Sequence, residues 1–418
     1  NLSPEEQASQ VSKVKFYLNG LIKTPITIDA DYSVEQVLNM IDEKDYHFNS
    51  FPVLGMDGKL VGIMTGNDFD FCDDISKKVS DVMTKDLVSV PEGTNMEDAY
   101  KIMKESKKKI IPLISDKGEL SGLYSFKDLK EIMSGSSSQM NLDDNGQLRV
   151  GAAIGVGDDG IDRLERLVEK HVDVIVVDTA HGDSKNVFEM VKYAKKHFPH
   201  LDIVAGNITD GDQTKRLIKA GADGIKVGQG PGSICTTRVV SGVGVPQLSA
   251  VYECAEVASK YKIPTNADGG IKYSGEIVKA IAAGASSVML GSLLAGTKES
   301  PGTVVIKDGR KWKSYRGMGS IGAMTTGKGS RERYNQRDSK IEDLVPEGIE
   351  GLVPYAGELA EVIHQHVGGL KSGMGYHGAK DIKTLQKNAV FVHISKAGQE
   401  ESHPHDVTIT REAPNYSK

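Results

Sequence analysis

The chain has 418 residues, and a usual size of about 150 residues per domain predicts two or three domains. Its net charge is −6, which gives no reason to expect a nucleic-acid surface. It has 46 glycines but 14 prolines, which favours tight turns over disorder, and three widely spaced cysteines, which indicate a reducing compartment. No apolar run reaches the roughly 18 residues of a membrane helix, and no leader pattern opens the sequence. We therefore expect a soluble cytoplasmic protein without a membrane partner.

An internal repeat lies in the first third of the chain. The same four residue types recur sixty positions apart: Pro52, Gly58, Gly62 and Asp68, then Pro112, Gly118, Gly122 and Asp128. Each copy predicts a strand, a tight turn, a second strand and a helix start, with an amphipathic helix upstream. A serine-rich stretch at 134–138, followed by NLDDNG, predicts a linker after the repeats.

Beyond this linker, apolar strands alternate with amphipathic helices. The predicted strands are Leu148–Val156, Val172–Asp178, Leu201–Ala205, Gly224–Val227, Ile263–Ala267 and Ser286–Leu290. Such alternation predicts a parallel sheet covered by helices. Polar and glycine residues follow every strand, which favours a (β/α)8 barrel over a doubly wound sheet, where they would concentrate at one switch point.

Two strand ends have the composition of a nucleotide site. Asp268-Gly269-Gly270 and Gly291-Ser292 follow the positions of strands 7 and 8, where barrels often bind phosphate through backbone N–H groups. Asp268 suits the hydroxyls of a ribose, with a helix N-cap as the alternative role.

The loop GQGPGSICTTR, residues 228–238, is the most specific stretch of the chain. Glycines and Ser233 surround Cys235, a polar and accessible setting in which a thiol is activated as a nucleophile. Turned carbonyl groups there also suit a monovalent cation. We interpret Cys72 and Cys254 as small buried apolar residues. A long glycine-rich segment, residues 315–337, predicts a lid-like loop that ends near Arg333-Tyr334.

The run from Gly228 to Gln247, with ADGG, YRGMGS, the Arg-Tyr pair, PEGIEG and ESHPHDV, closely resembles the inosine 5′-monophosphate (IMP) dehydrogenase family. The resemblance covers essentially the whole chain. It implies an α/β fold, a (β/α)8 TIM barrel with an inserted tandem CBS-motif domain, and NAD-dependent oxidation of IMP to xanthosine monophosphate (XMP) in guanine nucleotide synthesis. The implied domains are a barrel helix (1–21), a CBS module (22–134), a linker (135–147) and the catalytic barrel portion (148–418) with a mobile flap (about 307–345).

The resemblance also implies roles for individual residues. Cys235 would attack C2 of the purine, and the intermediate would be hydrolysed with help from Thr237, Arg333 and Tyr334. The implied substrate-binding residues are Ser233, Asp268, Gly270, Gly291, Ser292, Tyr315, Gly317, Met318, Glu347 and Gly319. The implied NAD-side residues are Asp178, Thr179, Asn207 and Gly228. An arginine is a poor general base because its pKa is above about 12, so Tyr334 or Thr237 is the easier proton relay.

The resemblance further implies a potassium ion and an oligomer. The carbonyl groups of Gly230, Gly232 and Cys235 would hold K⁺ together with Glu401, Ser402 and His403 of a neighbouring subunit. The family is tetrameric, and the pairing of tetramers into octamers stays open. The CBS module resembles a cleft for adenine or guanine nucleotides, with inert stabilisation as the alternative.

Some features depart from the family pattern. Asn266 and Gln229 occupy positions where apolar residues are expected, and the region that holds the first two barrel strands is not represented, so we expect six strands.

GMP reductase is the nearest alternative, because it shares the barrel and the cysteine loop, but it lacks the Arg-Tyr loop. A nucleotide-sensing protein that has lost catalysis is a second alternative.

Overall fold

The computed structural model describes residues 2–17, 20–44, 46, 48–134, 140–334, 336–411 and 413–416. The chain divides into a small unit of residues 10–150 and a large unit of residues 1–9 and 151–418. Helix α1, Pro4–Lys15, includes residues of both. Within the described ranges, every helix is too short or too polar to cross a bilayer.

The small unit contains the two sequence repeats. The first comprises β1 (Ile28–Asp29), α2 (Val34–Glu43), β2 (Phe51–Leu54), β3 (Leu60–Met64), α3 (Gly66–Asp70) and α4 (Val79–Val82). The second comprises β4 (Val90–Pro91), α5 (Met96–Ser106), β5 (Ile110–Ile114), β6 (Leu120–Ser125) and α6 (Phe126–Met133). Each three-stranded sheet has one parallel and one antiparallel pair, and each repeat buries its own core. The predicted strand–turn–strand–helix order is confirmed in both repeats.

The residues after α6 remain part of the small unit. Asp143 pairs with Lys15 at 2.8 Å, and its carboxylate accepts the backbone N–H groups of Asn145 and Gln147 at 2.8 and 3.0 Å. These bonds hold residues 140–147 in a turn, although this stretch belongs to the predicted linker. The rest of that linker, residues 135–139, lies outside the described residues.

The large unit is built on a parallel sheet. Its strands are β7 (Gly151–Ile154), β8 (Val174–Asp178), β9 (Asp202–Ile208), β10 (Gly224–Val227), β11 (Thr265–Asp268) and β12 (Ser287–Met289). Neighbours in the sheet follow each other in the chain and are all parallel. This order is that of a TIM-barrel-type sheet, because a doubly wound sheet reverses its strand order. All six predicted strands are confirmed, and the described residues show six strands in this sheet.

Helices connect and cover these strands. They are α7 (Gly157–Glu169), α8 (Lys185–His197), α9 (Gly211–Ala220), α10 (Thr237–Val240), α11 (Gln247–Lys260), α12 (Ser274–Ala282) and α13 (Ser292–Ala295). The longer ones bury one apolar face, as Leu164 and Leu167 of α7 do, because the strands expose apolar side chains that need cover.

After α13 the chain forms a second, antiparallel sheet and a helical tail. The sheet comprises β13 (Val304–Lys307), β14 (Arg310–Arg316) and β15 (Glu350–Pro354), and the tail comprises α16 (Leu359–Tyr376), α17 (Ile382–Asn388) and α18 (Lys396–Glu401). Between β14 and β15 lie α14 (Ile321–Thr326), α15 (Lys328–Arg333) and a 3-10 turn at Ile341–Asp343.

The segment predicted as a long loop is therefore largely structured. Ser320 caps α14 by accepting the N–H of Ala323, and Ala323 and Met324 are buried. Glu350 of β15 accepts the N–H of Gly322 at 2.8 Å. Residue composition alone predicted a loop because glycine and polar residues dominate the segment, but capping and two buried apolar side chains are enough to form a short helix.

Candidate active site

The carboxyl ends of the parallel strands meet at one edge of the sheet. Asp178 ends β8, Asn207 lies near the end of β9, and Asp268 ends β11. Gly228 follows β10 directly, and Gly291 comes shortly after β12. The structure thus brings together, at one edge, residues that are up to 113 positions apart in the chain (291 − 178). This is the edge at which TIM-barrel enzymes place their chemistry.

A buried lysine lies at the centre of this edge. Lys226 of β10 is 2% exposed. Its Nζ lies 3.1 Å from Oδ1 of Asp178 and 3.1 Å from Oδ1 of Asn207, and it forms an ion pair with Asp268. The Asn207 amide nitrogen donates to Asp268 at 2.8 Å. These four side chains, which we call the Lys226 network, come from four adjacent strands.

Two local features of β9 aim Asn207 into the network. The register between β9 and β10 shifts there, so that Lys226 is opposite Gly206 and Val227 is opposite Ile208. A bulge of this kind changes the direction of a side chain, here that of Asn207. A methyl group at Gly206 would lie 2.3 Å from the carbonyl oxygen of Lys226, so the close approach of the two strands requires glycine.

Arg333, the last residue of α15, reaches the same edge from the segment between β14 and β15. Its guanidinium forms an ion pair with Asp178, and its carbonyl accepts the N–H of Ala180 at 3.2 Å. Burial opposes both charges, but the pKa of Asp178 is lowered by Arg333 and Lys226, and the pKa of Arg333 is raised by Asp178. Arg333 is therefore protonated in this arrangement. Thr179, next to Asp178, is buried, and its hydroxyl donates to Gly206 at 2.8 Å.

The loop after β10 presents a half-buried thiol. The N–H of Cys235 donates to the carbonyl of Gly232 at 3.0 Å, and Sγ lies 3.1 Å from Oγ1 of Thr237 and 3.7 Å from the carbonyl oxygen of Glu347. Gly230, with a φ of 72°, and exposed Ser233 lie on the same loop. Thr237 is the first residue of α10, so the loop and the helix start together fix a hydroxyl beside the thiol.

The segment that carries the predicted base-contacting residues lies against this loop. Glu347 donates its N–H to the carbonyl of Gly319 at 3.0 Å and accepts the N–H of Thr236 with its own carbonyl at 3.0 Å. Gly317 donates its N–H to Ile349 at 2.9 Å, and Met318 is 48% exposed. Backbone bonds therefore hold this segment next to the thiol.

Tyr334 lies against the segment that is bonded to the cysteine loop. A methyl group at Gly319 would come within 2.8 Å of its ring. Burial raises the pKa of Tyr334, the charge of Arg333 partly offsets this rise, and the charges of Cys235 and Glu347 add to it. The phenol therefore stays protonated at neutral pH and is available as a hydrogen-bond donor.

The residues predicted to bind phosphate form a second cluster. A methyl group at Gly291 would lie 2.6 Å from the hydroxyl oxygen of Tyr315, so the tyrosine of β14 crosses over the start of α13, where Ser292 lies. Burial, followed by the charge of Asp268, raises the pKa of Tyr315. Gly270 has a φ of 81° and follows β11. Glycine at these points lets the backbone approach an anion closely.

The residues predicted to hold potassium from a neighbouring subunit lie at the end of α18. Glu401 and Ser402 are exposed. The ring of His403 is bonded through Nδ1 to the hydroxyl of Tyr416 at 2.9 Å and lies edge-on to the ring of Tyr273. Exposed positions of this kind are available to a second subunit.

Sequence reasoning missed Lys226 and misread Gln229. A lysine inside an apolar strand, two residues before a glycine loop, is a signal because buried charges require partners. Gln229 is buried where an apolar residue was expected, and it donates to the Ala180 carbonyl at 3.1 Å and lies 2.8 Å from Nδ1 of His181. Asn266, the other departure, donates to the hydroxyl of Ser287 at 2.9 Å. The amide nitrogens of both residues thus have polar partners, whereas the buried Oδ1 of Asn266 has no hydrogen-bond partner among the described residues.

The two other cysteines differ from one another. Cys254 is buried, as predicted, and burial raises its pKa to about 12. Cys72 is only half-buried, and its thiol lies 3.2 Å from the carbonyl oxygen of Asp74, so the prediction of a buried residue is only partly met.

Comparison with known proteins places this site in a family. The profile of the "IMP dehydrogenase / GMP reductase domain" matches residues 1–405. The chain is 52% identical to inosine-5′-monophosphate dehydrogenase of Aquifex aeolicus and 49% identical to that of Bacillus subtilis; each match covers 100% of this chain and 84% of the relative. A crystal structure of a cysteine-to-alanine variant of GMP reductase from Trypanosoma brucei, in complex with guanosine 5′-monophosphate, is similar with a TM-score of 0.81 and 39% identity, over 97% of this chain and 84% of that one.

The fold and the site define an α/β enzyme whose chemistry lies at the carboxyl edge of a TIM-barrel-type sheet. The chain belongs to the IMP dehydrogenase / GMP reductase family. The predicted resemblance is confirmed, and so is the prediction of an oxidoreductase of the IMP dehydrogenase type, because the curated relatives at about half identity over the full chain carry that name.

Proposed function

We propose that this chain oxidises IMP to XMP with NAD, in guanine nucleotide synthesis and in the cytoplasm. The observation that supports this proposal most strongly is the thiol of Cys235, held 3.1 Å from the hydroxyl of Thr237 at the edge where Asp268 ends its strand. A nucleophile, a hydroxyl and a carboxylate at one barrel edge suit a nucleotide substrate that is attacked covalently.

The proposed IMP site combines three groups of residues. The carboxylate of Asp268 accepts hydrogen bonds from the ribose hydroxyls. The phosphate is bound by backbone N–H groups and hydroxyls of Ser233, Gly270, Gly291, Ser292 and Tyr315. The base lies against Gly317, Met318, Gly319 and Glu347, whose backbone is bonded to the cysteine loop. This arrangement would place C2 of the purine next to Sγ of Cys235.

The first half of the proposed reaction is an oxidation. The thiolate of Cys235 adds to C2, and the hydrogen on C2 leaves with its electron pair as a hydride. NAD, when bound, accepts that hydride. The purine then remains attached to Cys235 as a covalent intermediate at the oxidation level of XMP. Asp178, Thr179, Asn207 and Gly228, at the ends of β8 to β10, form the proposed nicotinamide side.

The second half is a hydrolysis. Water attacks C2 of the covalent intermediate, the thiolate leaves, and a proton is removed from the water. Arg333 is protonated beside Asp178, so we assign it the role of stabilising negative charge as the water attacks C2. Thr237, next to Sγ, and Tyr334, near the same thiol, are the proposed proton relay.

Arg333 occupies the proposed nicotinamide side in this conformation because it contacts Asp178. NAD and the segment that carries Arg333 would therefore bind there in turn, first for hydride transfer and then for hydrolysis. The short helices α14 and α15 would move as part of this flap.

A potassium ion fits the chemistry of the cysteine loop. Gly230, Gly232 and Cys235 offer uncharged carbonyl oxygens, the ligand type that hard cations accept. Glu401, Ser402 and His403 of a neighbouring subunit would complete the site, which requires an oligomer, and we propose a homotetramer. The ion would hold the loop in the shape that presents the thiol.

The small unit is the proposed CBS module, at about 22–134, and the proposed ligands are adenine or guanine nucleotides. Asp68 begins the last part of the first repeat, but its carboxylate accepts Thr65 and Thr84 at 2.7 and 3.1 Å. A ribose hydroxyl would share this carboxylate with the two threonines. Calorimetric titration with ATP and with GTP tests this part, and absence of heat with both nucleotides would remove it.

GMP reductase is the second candidate, because the similar crystal structure is a GMP reductase whose fold matches 97% of this chain. Arg333 and Tyr334 favour the dehydrogenase, since a reductive deamination needs no water-activating pair. The deciding experiment supplies both substrate pairs to the purified chain with potassium. NADH formation from IMP and NAD is expected; NADPH oxidation with GMP and release of ammonia would reverse the assignment, and inactivity with both pairs would favour a nucleotide sensor.

A further inference from the structure

The proposed mechanism leaves Lys226 without a role, although its burial is costly. The side chain of Lys226 is 3% exposed, and an ammonium group removed from water must be compensated by partners. Its three partners are the side chains of Asp178, Asn207 and Asp268. Two of these have different tasks in the proposed reaction, since Asp268 binds the ribose and Asp178 receives Arg333.

The geometry explains why a cation is needed there. Two carboxylates that share one ammonium lie within about 6 Å of each other, a separation at which their negative charges repel. Lys226 lies between them and offsets this repulsion. With Arg333 in place, the two arginine and lysine charges equal the two carboxylate charges, and the net charge is zero. Without Arg333, the Lys226 network has a net charge of −1.

The bonds of Lys226 also fix an orientation. Both Lys226 and the amide of Asn207 engage Oδ2 of Asp268. Oδ1 of the same carboxylate therefore has a defined direction, and it is the oxygen available to a ribose hydroxyl.

We propose that Lys226 is a positioning residue that holds Asp178 and Asp268 in place, and thereby determines recognition of the ribose. This inference rests on the proposed function, because it uses the assignment of Asp268 to the ribose. It adds that ribose discrimination depends on a side chain that does not touch the substrate.

The test compares the binding of IMP and 2′-deoxy-IMP, without NAD, to the full chain by calorimetry. Lys226→Met removes the charge, and Lys226→Arg keeps it with donors that reach both carboxylates. We expect IMP affinity to fall by about tenfold or more in Lys226→Met, because a buried carboxylate loses its partner, and to recover largely in Lys226→Arg. The preference for IMP over 2′-deoxy-IMP should shrink in Lys226→Met alone.

Lys15→Met is the matched control. Lys15 is equally buried and also pairs with a carboxylate, Asp143, but within the small unit. The Lys15→Met variant should be less stable than the wild type but should bind IMP and 2′-deoxy-IMP with unchanged affinities. If circular dichroism shows that Lys226→Met is unfolded, Lys226→Gln, which keeps a donor without charge, replaces it with the same expected loss.

The outcomes separate the inference from the function on which it rests. If the wild-type chain does not bind IMP, the proposed function fails. If the wild type binds IMP and the charge-removing variant discriminates between the two nucleotides as well as the wild type does, Lys226 has no positioning role. Equal loss of both nucleotides in the methionine and arginine variants would likewise overturn it, since that pattern reflects packing.

Discussion

The buried ion pair between Asp178 and Arg333 makes a quantitative prediction for Asp178→Asn. The substitution keeps the shape of the side chain but leaves Arg333 and Lys226 without an ionised partner at this point. Removing one member of a buried pair costs about 3–5 kcal/mol. Because the Asp178 side chain is 22% exposed, we expect the lower end of that range, about 3 kcal/mol, for the free energy of unfolding of the large unit at pH 7.

Urea denaturation, monitored by tryptophan fluorescence, measures this loss in the free energy of unfolding. The chain has one tryptophan, Trp312, which lies on β14 of the large unit, so its fluorescence reports that unit. Asp162→Asn is the matched control, because Asp162 pairs with Arg166 on helix α7 of the large unit with side chains 48% and 41% exposed, and this variant should lose far less. An equal loss in the two variants would refute the reasoning.

The same comparison has a defined pH dependence. The pKa of Asp178 is lowered from its usual 3.8, because the charges of Arg333 and Lys226 outweigh burial. A carboxyl with a lowered pKa in the folded state contributes its full stability above the unfolded value and loses it as the pH falls through the folded value. The difference between wild type and Asp178→Asn should therefore be constant from pH 8 to about pH 5 and shrink only below 3.8.

Further predictions concern the flap, the cysteine loop and the thiols. Arg333→Gln should still release NADH in a first-turnover burst but hydrolyse the intermediate slowly, and loss of the burst itself in stopped-flow absorbance would contradict this role. Gly228→Ala should abolish IMP binding in calorimetry, because φ is 134° and the added methyl would lie 2.6 Å from the Asp268 carbonyl oxygen. Gly242→Ala, at φ 72° with open space around it, is its control and should bind normally. Cys254 should resist iodoacetamide at pH 8 until urea is added, because burial raises its pKa to about 12; labelling of the folded protein there, detected by mass spectrometry, would exclude this burial.

Much of the fold follows from local patterns in the sequence. Apolar strands such as Gly224–Val227 were predicted with the same bounds as in the structure, because parallel strands buried on both faces are continuously apolar. The repeats were predicted from their turn glycines, since Gly58 and Gly118 need a positive φ. Such patterns depend on neighbours in the chain and are therefore visible in one sequence.

The parts of the site that were missed depend on contacts between distant residues. Asn207 meets Lys226 through a bulge whose register is set by strand pairing, which periodicity does not reveal. The helix α14 was predicted as loop because its stability comes from the Ser320 cap and from two buried side chains rather than from helix propensity. Lys226 was included in a predicted strand without a role because its partners lie on three other strands and are not visible in the local pattern.

A rapid-quench experiment with a single turnover of IMP and NAD, in the presence of potassium, tests whether Cys235 forms a covalent intermediate. NADH and protein-bound purine are measured at the same time points, and the peptide that carries the purine is identified by mass spectrometry. The account predicts that NADH and a nucleotide on Cys235 appear at the same rate, that XMP follows later, and that Cys235→Ala forms neither. Release of XMP without any protein-bound nucleotide, or formation of NADH by Cys235→Ala, would contradict it.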